Sequence, residues 1–558
     1  MQKSETPSHG KPFPVALAPL GLVAVLLAGC VDSATLEPTR GYILISLDTL
    51  GARHLGAYGA ERDTSPFFDR LAARATLFEN AFVQYPSTLV SHASMFTGLY
   101  PREHGVRLPG QRLSTELETL PERFRAAGFV TAAVTEGGFV SAAHGFDRGF
   151  EEFHERTEVS PDDEIERTFR RGLDFLAGLA ADDRFFLFLH TYSVHDPYEP
   201  PEPWRSMYLD EPASESPDSS GKFLRDVYMG RATVSGSEVD RLRALYDGSV
   251  RYVDSVLESF FAELETLGVA DEVTVVVTSD HGEEFLQHGS LGHYQVYPET
   301  LHVPLLVVHP GQRKGTRVAA VVGSIDLAPT LFDLAGLADV EMGSGRSLAP
   351  VVGEGGDGAV GELAEREVFA EVFDQRSQLS VIRRRGGTLF QSLVSRLVAE
   401  PDGTWVTRSV TFDLAPGETL EAVSFAETRE VEITVDGEPW GAVEVDGGWT
   451  AIAVEPATTP RRLTLTTAEC SVPLYLGMGN DSRCLSFKVR GTELRRDELF
   501  DLLADPEARR DVTAARPDVA RDLAGRLERR RWTLRAVPVG GELSPGSAET
   551  LRALGYID

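Results

Sequence analysis

This chain is poor in cysteine and in positive charge, and it has no long apolar run. Its 558 residues include three cysteines, Cys30, Cys470 and Cys484, and so small a number does not suggest a structural zinc site. Lys and Arg total 54 against 85 Asp and Glu, a formal net charge of −31. Nucleic acid and anionic membrane surfaces both attract basic patches, so this balance argues against either as a partner. No stretch reaches the ~18 apolar residues that a membrane-spanning helix requires. Hydrophobic content of 42% with 25% charged residues is that of an ordinary globular protein, long enough for two to four domains.

The N-terminus carries a processing pattern. Lys3 and Lys11 precede a mostly apolar run from Val15 to Gly29, which ends in "LLAGC". Small residues before a cysteine resemble the bacterial lipobox. Residues 1–29 are therefore expected to be a lipoprotein signal peptide, Cys30 the lipidated first residue, and residues 30–40 a tether. An ordinary signal peptide with an incidental cysteine is the alternative. The expected location is the bacterial periplasm or cell surface, with the lipid anchor as the sole membrane contact. In that oxidising compartment Cys470 and Cys484 are expected to pair as a disulfide.

The runs "GYILISLDT" (41–49), "RFFLFLHTYSVHDPYEPP" (184–201) and "EVTVVVTSDHG" (272–282) are continuously apolar and end in polar residues. Continuous rather than alternating hydrophobicity predicts strands covered on both faces, as in a parallel sheet. Helical patterns separate them. One opens with Ser65 as N-cap and Pro66 at the first helical position. Residues 41–385 thus read as one large α/β domain. From 386 to 488 the chain becomes rich in Thr, Val and Gly, and Asp-Gly turns at 436–437 and 446–447 separate alternating runs. This predicts a small antiparallel β insertion. Residues 489–558 are expected to form a C-terminal segment that returns to the first domain, with helix from "ELFDLLADPEARRDV" (498–512) onward.

In open α/β sheets, ligands gather beyond the carboxyl ends of the strands. Asp48, His190 and the Asp280-His281 pair fall at such ends. Two carboxylates with an imidazole make a reasonable shell for a divalent metal with open positions.

The pieces "ILISLDT", "TLVSHASMFTGLYPREHGV", "SVHDPYEPP", "YDGSVRYVD", "SDHGEE", "LHVPLLVV" and "SIDLAPTLFDLAG", with the late "ELFDLLADP", occur in one order. In that order the chain resembles the sulfatase-like branch of the alkaline phosphatase superfamily. The resemblance implies an α/β sandwich around a mostly parallel sheet and a metal-dependent ester hydrolase. It also places Thr88 at the nucleophile, Val90 at the usual Pro, and His92 at the usual Arg of the motif ending in Thr97-Gly98. Sulfatases oxidise Cys or Ser at the first of these positions to formylglycine, which Thr cannot become because its β-carbon bears a methyl group.

That departure shifts the expected chemistry. A sulfated Thr88 would lack the second hydroxyl through which formylglycine adducts collapse, whereas a phosphorylated Thr can be resolved at phosphorus by water. Metal coordination would lower the Thr88 hydroxyl pKa, and if "SHASMF" (91–96) starts a helix, its N-terminus would favour the alkoxide and the incoming anion. Thr49 replaces a second early Asp and His281 a late Asn, which moves the metal preference from calcium toward zinc or manganese. The usual Lys-Trp-His stretch appears as "TEGGF" (135–139), and a later family Lys falls on His293. His195 in "SVHDPY" matches the family His that contacts the ester. His190 and His288 are candidates for a second metal site or an anion contact, and Glu283 and Glu284 for a solvated or supporting pair.

The expected activity is cleavage or transfer of phosphate mono- or diester groups on an anionic substrate, with a glycan or lipid head group among the candidates. Sulfate-ester hydrolysis and a catalytically inactive surface-binding protein are the alternatives. Replacing the anchor residue tests the export reading: Cys30→Ser should move the protein from the membrane fraction to the soluble or unprocessed fraction. Unchanged fractionation and an unchanged mature mass would leave the ordinary signal peptide.

Overall fold

The computed structural model describes residues 36–533, apart from 157–163, 211–217, 229–230, 338–342, 354–362, 364–365, 468–486 and other stretches between elements from 374 onward. Cys30, Cys470, Cys484 and the turn at 446–447 lie outside the described residues. Among those described, no helix is long and apolar enough to cross a membrane.

The three continuous apolar runs become the centre of the main sheet. Its strands are β1 (Gly41–Leu47), β2 (Thr76–Phe82), β3 (Val130–Thr135), β4 (Glu152–Glu155), β5 (Phe185–Thr191) and β6 (Val273–Thr278). The short hairpin β7 (Glu284–Phe285) and β8 (Leu291–Gly292) follows. The sheet then continues with β9 (His302–Val303), β10 (Leu305–Val308) and β11 (Thr316–Gly323). The strand order is β11-β2-β10-β6-β1-β5-β3-β4, with β9 paired to β2. β1 lies between β5 and β6 and parallel to both, while β10 runs antiparallel to both of its neighbours. The sheet is therefore mostly parallel, as the apolar runs predict.

Every residue of β1, β5 and β6 is buried, because side chains alternate into two separate cores. Tyr42, Leu44, Phe186 and Phe188 enter the core shared with helix α2 (Thr88–Thr97), which follows α1 (Pro66–Ala72) in the chain. Ile43, Ile45, Leu187 and Leu189 enter the other core, against the 31-residue helix Gly236–Thr266.

Helix α1 starts where expected, with Ser65 as N-cap and Pro66 in its first turn, but the Ser65 side chain does not cap it. The Phe67 and Phe68 N–H groups instead donate to the Asp254 carboxylate, 2.9 and 2.8 Å away, on the long helix. A tertiary carboxylate thus satisfies donors that a local hydroxyl ordinarily takes.

A second, antiparallel sheet contains β12 (Glu367–Phe373), β13 (Ser377–Gly386), β14 (Leu389–Val398) and Arg495–Asp501 in that order. The β13–β14 hairpin carries the chain across residue 386, the expected start of the insertion, and two further four-stranded antiparallel sheets begin at Thr404. In one of them, Arg429–Val435 and Glu438–Val445 form the hairpin expected at 436, with Asp436 at φ 55°.

One reading is corrected. Residues 498–501, expected to open a helix, belong to the strand Arg495–Asp501 on β14, and among the described residues beyond it the α-helix is Pro517–Thr533. Leu499 and Phe500 are both buried, in different cores, so a central strand covered on both faces presents the same short apolar run as a helix segment.

Packing of α2 on the sheet fixes where Thr88 sits. Phe96, 1% exposed, meets Phe188 and Phe146 edge-on at 5.0 and 5.4 Å between ring centroids. Phe96→Ala should cost about 3–5 kcal/mol of stability, read as a lower denaturant midpoint. An unchanged midpoint would refute this packing role.

Candidate active site

The carboxyl ends of β1, β5 and β6 are adjacent, so Asp48, His190 and Asp280-His281 come together despite their separation in sequence. Helix α2 brings Thr88, its first residue, to the same place. Asp48, Asp280, His190 and His281 are wholly buried, and Thr88 is 3% exposed.

Asp48, Asp280 and His281 each offer a ligand atom, all within 4.8 Å of one another. His281 Nε2 lies 3.7 Å from Asp48 Oδ1, 3.6 Å from Asp280 Oδ2 and 3.5 Å from the Thr88 hydroxyl. Its Nδ1 faces the Gly282 carbonyl at 3.1 Å. A carbonyl only accepts, so Nδ1 carries the proton and Nε2 directs its lone pair at the carboxylates, the usual tautomer of a ligating histidine. Asp280 Oδ1 takes the Thr49 and His281 N–H groups, while its Oδ2 has no hydrogen-bond partner. Burial, reinforced by Asp48, pushes the Asp280 pKa up to about 7. An orphaned carboxylate oxygen, a second carboxylate and an imidazole lone pair fit a divalent cation, which relieves the repulsion between the acids.

The backbone there is specialised. Thr49 has φ 64°, rare for a β-branched residue, and its hydroxyl donates to Asp48 Oδ1 at 2.7 Å. Tyr246 accepts the Gly51 N–H and donates to the Thr49 carbonyl, holding the turn from behind.

His92 and His190 back the two carboxylates. His92 Nδ1 donates to the Thr88 carbonyl at 2.8 Å and lies 3.7 Å from Asp280 Oδ2, while its Nε2 meets the Ser46 hydroxyl at 2.9 Å. Burial lowers its pKa to about 4, so the ring is neutral. His190 Nε2 donates to Asp48 Oδ2 at 3.2 Å. His288 makes its contacts elsewhere: it stacks on Tyr297 at 3.7 Å and meets Glu299 and the Ala508 carbonyl. It shares none of these with His190, and neither residue belongs to the three-ligand group.

His195 and His293 come together on the other side, their ring centroids 5.5 Å apart, and His293 lies 4.2 Å from His281. Each is backed by a carboxylate: His195 Nδ1 is 3.3 Å from Asp196 Oδ1 and His293 Nδ1 is 3.3 Å from Glu283 Oε1. Burial opposes charge on His195, yet Asp196 and Asp48 lift its pKa to about 9. Burial likewise opposes charge on His293, and Glu283 outweighs it.

The sequence reading missed Asp196 as a partner. Of its two alternatives for Glu283 and Glu284, the solvated one fails, since both are wholly buried, and Glu283 takes the supporting one: it backs His293 and accepts the Tyr198 hydroxyl at 2.9 Å. Asp196 did stand beside a recognised motif residue, which was the available signal. In the "TEGGF" stretch Glu136 is buried and accepts the Tyr192 N–H at 2.7 Å, a carboxylate where the resemblance expects basic groups.

A threonine hydroxyl at a helix start thus faces an acid pair at the carboxyl ends of a mostly parallel sheet. Residues 40–337, more than half of the chain, match the Sulfatase family model, and the chain belongs to that family. It is 31% identical over 236 residues to the multifunctional alkaline phosphatase superfamily protein PehA of Trinickia caryophylli, covering 38% of this chain and 46% of PehA. Against an arylsulfatase of Clostridium perfringens it is 24% identical over 375 residues, 56% of this chain and 78% of that one. Its fold is similar to a phosphonate monoester hydrolase of Agrobacterium radiobacter, with TM-score 0.57 and 18% identity over 89% of this chain and 95% of that one.

Removing divalent ions by chelation should lower the melting temperature, and adding zinc or manganese should restore it. An ion at a hundredfold excess over its dissociation constant contributes about 2.7 kcal/mol. Asp280→Asn should retain less metal by elemental analysis. Chelation without effect on melting or metal content would remove the metal reading.

Proposed function

We propose that this protein cleaves phosphate mono- or diesters, or transfers their phosphoryl group, with Thr88 as nucleophile. The observation that carries the reading is the Thr88 hydroxyl at 3.5 Å from His281 Nε2, beside an acid pair with an orphaned oxygen. A divalent cation held by Asp48, Asp280 and His281, zinc or manganese in preference to calcium, would favour the ionised form of the Thr88 hydroxyl. The start of α2 adds its backbone N–H groups and positive dipole end near the incoming anion.

The bonds exchange in line. Thr88 Oγ1 forms a bond to phosphorus as the bond from phosphorus to the leaving oxygen breaks, and that oxygen takes a proton. His195 is suited to supply it, since Asp196 keeps it cationic near neutral pH. His293, held by Glu283, faces the same group and contributes a second donor. Water then attacks phosphorus, its proton passing to the now neutral His195, and the bond from phosphorus to Thr88 Oγ1 breaks to release Thr88 in its ionised form; carbon–oxygen cleavage, which formylglycine permits, is not available to a phosphothreonine. His92 and His190 support the acid pair from behind. The favoured substrate is an anionic ester met outside the cytoplasm, on a protein tethered through Cys30.

Sulfate-ester hydrolysis is the second reading, favoured by family membership. Thr88→Ser should keep substantial activity. Thr88→Ala should lose about a thousandfold or more in kcat with metal content unchanged. Wild type should turn over a phosphodiester or phosphomonoester faster than the matched aryl sulfate. Faster sulfate turnover by unmodified Thr88 would overturn the proposed mechanism.

A further inference from the structure

Gly282, next to His281, packs so closely on the Glu299 carbonyl that a Cβ there would lie 2.2 Å from it. Beyond that contact lies a second charged cluster, built around His288. Glu284 and Glu299 are wholly buried in it, and the His288 side chain is 10% exposed. The His288 N–H donates to Glu284 Oε1 at 2.7 Å and its carbonyl accepts from Gln295 Nε2 at 3.2 Å. Its backbone is thereby fixed within the loop that carries His293. The ring is fixed as well, stacked on Tyr297 at 3.7 Å and 2°.

The two ring nitrogens face acceptors on different parts of the chain. Nε2 lies 3.0 Å from the Ala508 carbonyl, which only accepts, so Nε2 carries a proton. Nδ1 lies 3.3 Å from Glu299 Oε2, and neither atom has another hydrogen-bond partner. Arg53 holds the other oxygen of Glu299 at 2.8 Å. Burial opposes charge on Glu299, yet His288 and Arg53 outweigh it and keep its pKa below the usual value. The carboxylate is therefore an acceptor too, and only a ring with protons on both nitrogens meets the two acceptors. A neutral imidazole has one N–H and must leave either Glu299 or Ala508.

Ala508 is built for this contact. It is 1% exposed and has φ 51°, a left-handed conformation uncommon for a residue with a side chain. Phe500, on the strand that leads to it, meets Tyr297 at 6.2 Å between ring centroids. The remaining charges leave His288 to Glu299 and Glu284. Arg53 and Arg383 act on Glu299. Near Ala508, Arg509, Arg510 and Asp511 are exposed, and Asp505 accepts the Arg510 N–H.

We propose that His288, with protons on both ring nitrogens, is a pH-sensitive clasp that ties the C-terminal segment at Ala508 to Glu299, and that the clasp opens when the ring loses one proton. The proposal is independent of what the active site cleaves. Burial disfavours charge on His288, but Glu299 outweighs it and raises the pKa above the ordinary histidine value. The folded chain thus holds the proton more tightly than the unfolded one. The clasp contributes fully below the ordinary value and is lost as pH climbs through the raised one.

Backbone hydrogen exchange, read by mass spectrometry and corrected for the intrinsic effect of pH, tests this on the full chain from about pH 6 to about pH 9. In wild type the amides at 508–512 should exchange about tenfold faster at the upper end, as expected for loss of one hydrogen bond to a charged group. His288→Gln keeps a neutral donor in reach of Ala508 and cannot titrate, so its exchange there should not change with pH. Wild-type exchange independent of pH, or the same pH dependence in His288→Gln, would overturn the clasp. A second measurement needs no variant: deuterium exchange at the carbon between the two ring nitrogens, followed in a peptide containing His288, reports the pKa of that ring. A value above 6.5, the ordinary one, supports the clasp, and a value at or below it overturns the clasp.

Discussion

Two carboxylates buried side by side repel, and the rest of the site is arranged around that repulsion. Asp48 and Asp280 follow the ends of neighbouring parallel strands, so the register that pairs Ser46 with Thr278 forces them together. Neither can turn to solvent, since both are wholly buried. The surroundings answer in layers: backbone N–H groups take one oxygen of Asp280, hydroxyl and imidazole donors meet Asp48, and one oxygen is left for a cation. The unusual φ of Thr49 belongs to the same arrangement, because it turns the chain so that both the Thr49 N–H and hydroxyl point at the acids. Strain of this kind persists where neighbouring contacts over-determine it, and Tyr246 supplies two of those contacts.

The centre of this arrangement was legible in the sequence, and its supports were not. Uninterrupted apolar runs ending in Asp or His announce central parallel strands, and strand ends are where such sheets bind ligands. A helix expected to start in "SHASMF" (91–96) starts three residues earlier, at Thr88. What failed to show was anything depending on partners distant in sequence. Whether His92 faces the ester or the acid pair is decided by Ser46 on a neighbouring strand. The charge on His195 depends on Asp196 and Asp48 together. The strand at 495–501 exists because β14 offers it a ladder, and its own two buried residues face different cores. The cap of α1 comes from Asp254, 187 positions away.

The site also shows how a family template is adapted by exchanging the source of positive charge. Where sulfatase-like motifs place Arg and Lys, this chain has His92 and His293, and its "TEGGF" stretch buries a carboxylate. A guanidinium is charged whatever surrounds it. An imidazole is charged only if its neighbours make it so. Here burial pushes the His92 pKa down to about 4, while adjacent acids raise those of His195 and His293 against burial, so neighbouring carboxylates and burial set the charge that a guanidinium would carry unaided.

The second sheet has a further consequence. Its strands β14 and Arg495–Asp501 are direct neighbours, with Leu397 paired to Arg495, and the two sheets that begin at Thr404 lie in the chain between them. Entry and exit of that intervening polypeptide are therefore held a strand's width apart by a ladder that does not depend on its contents. To the surrounding sheet it is an overgrown hairpin turn. Lengthening such a turn costs only the slowly growing entropy of loop closure, so evolution can trade, enlarge or delete this appendage while the nucleophile and its acids stay in register.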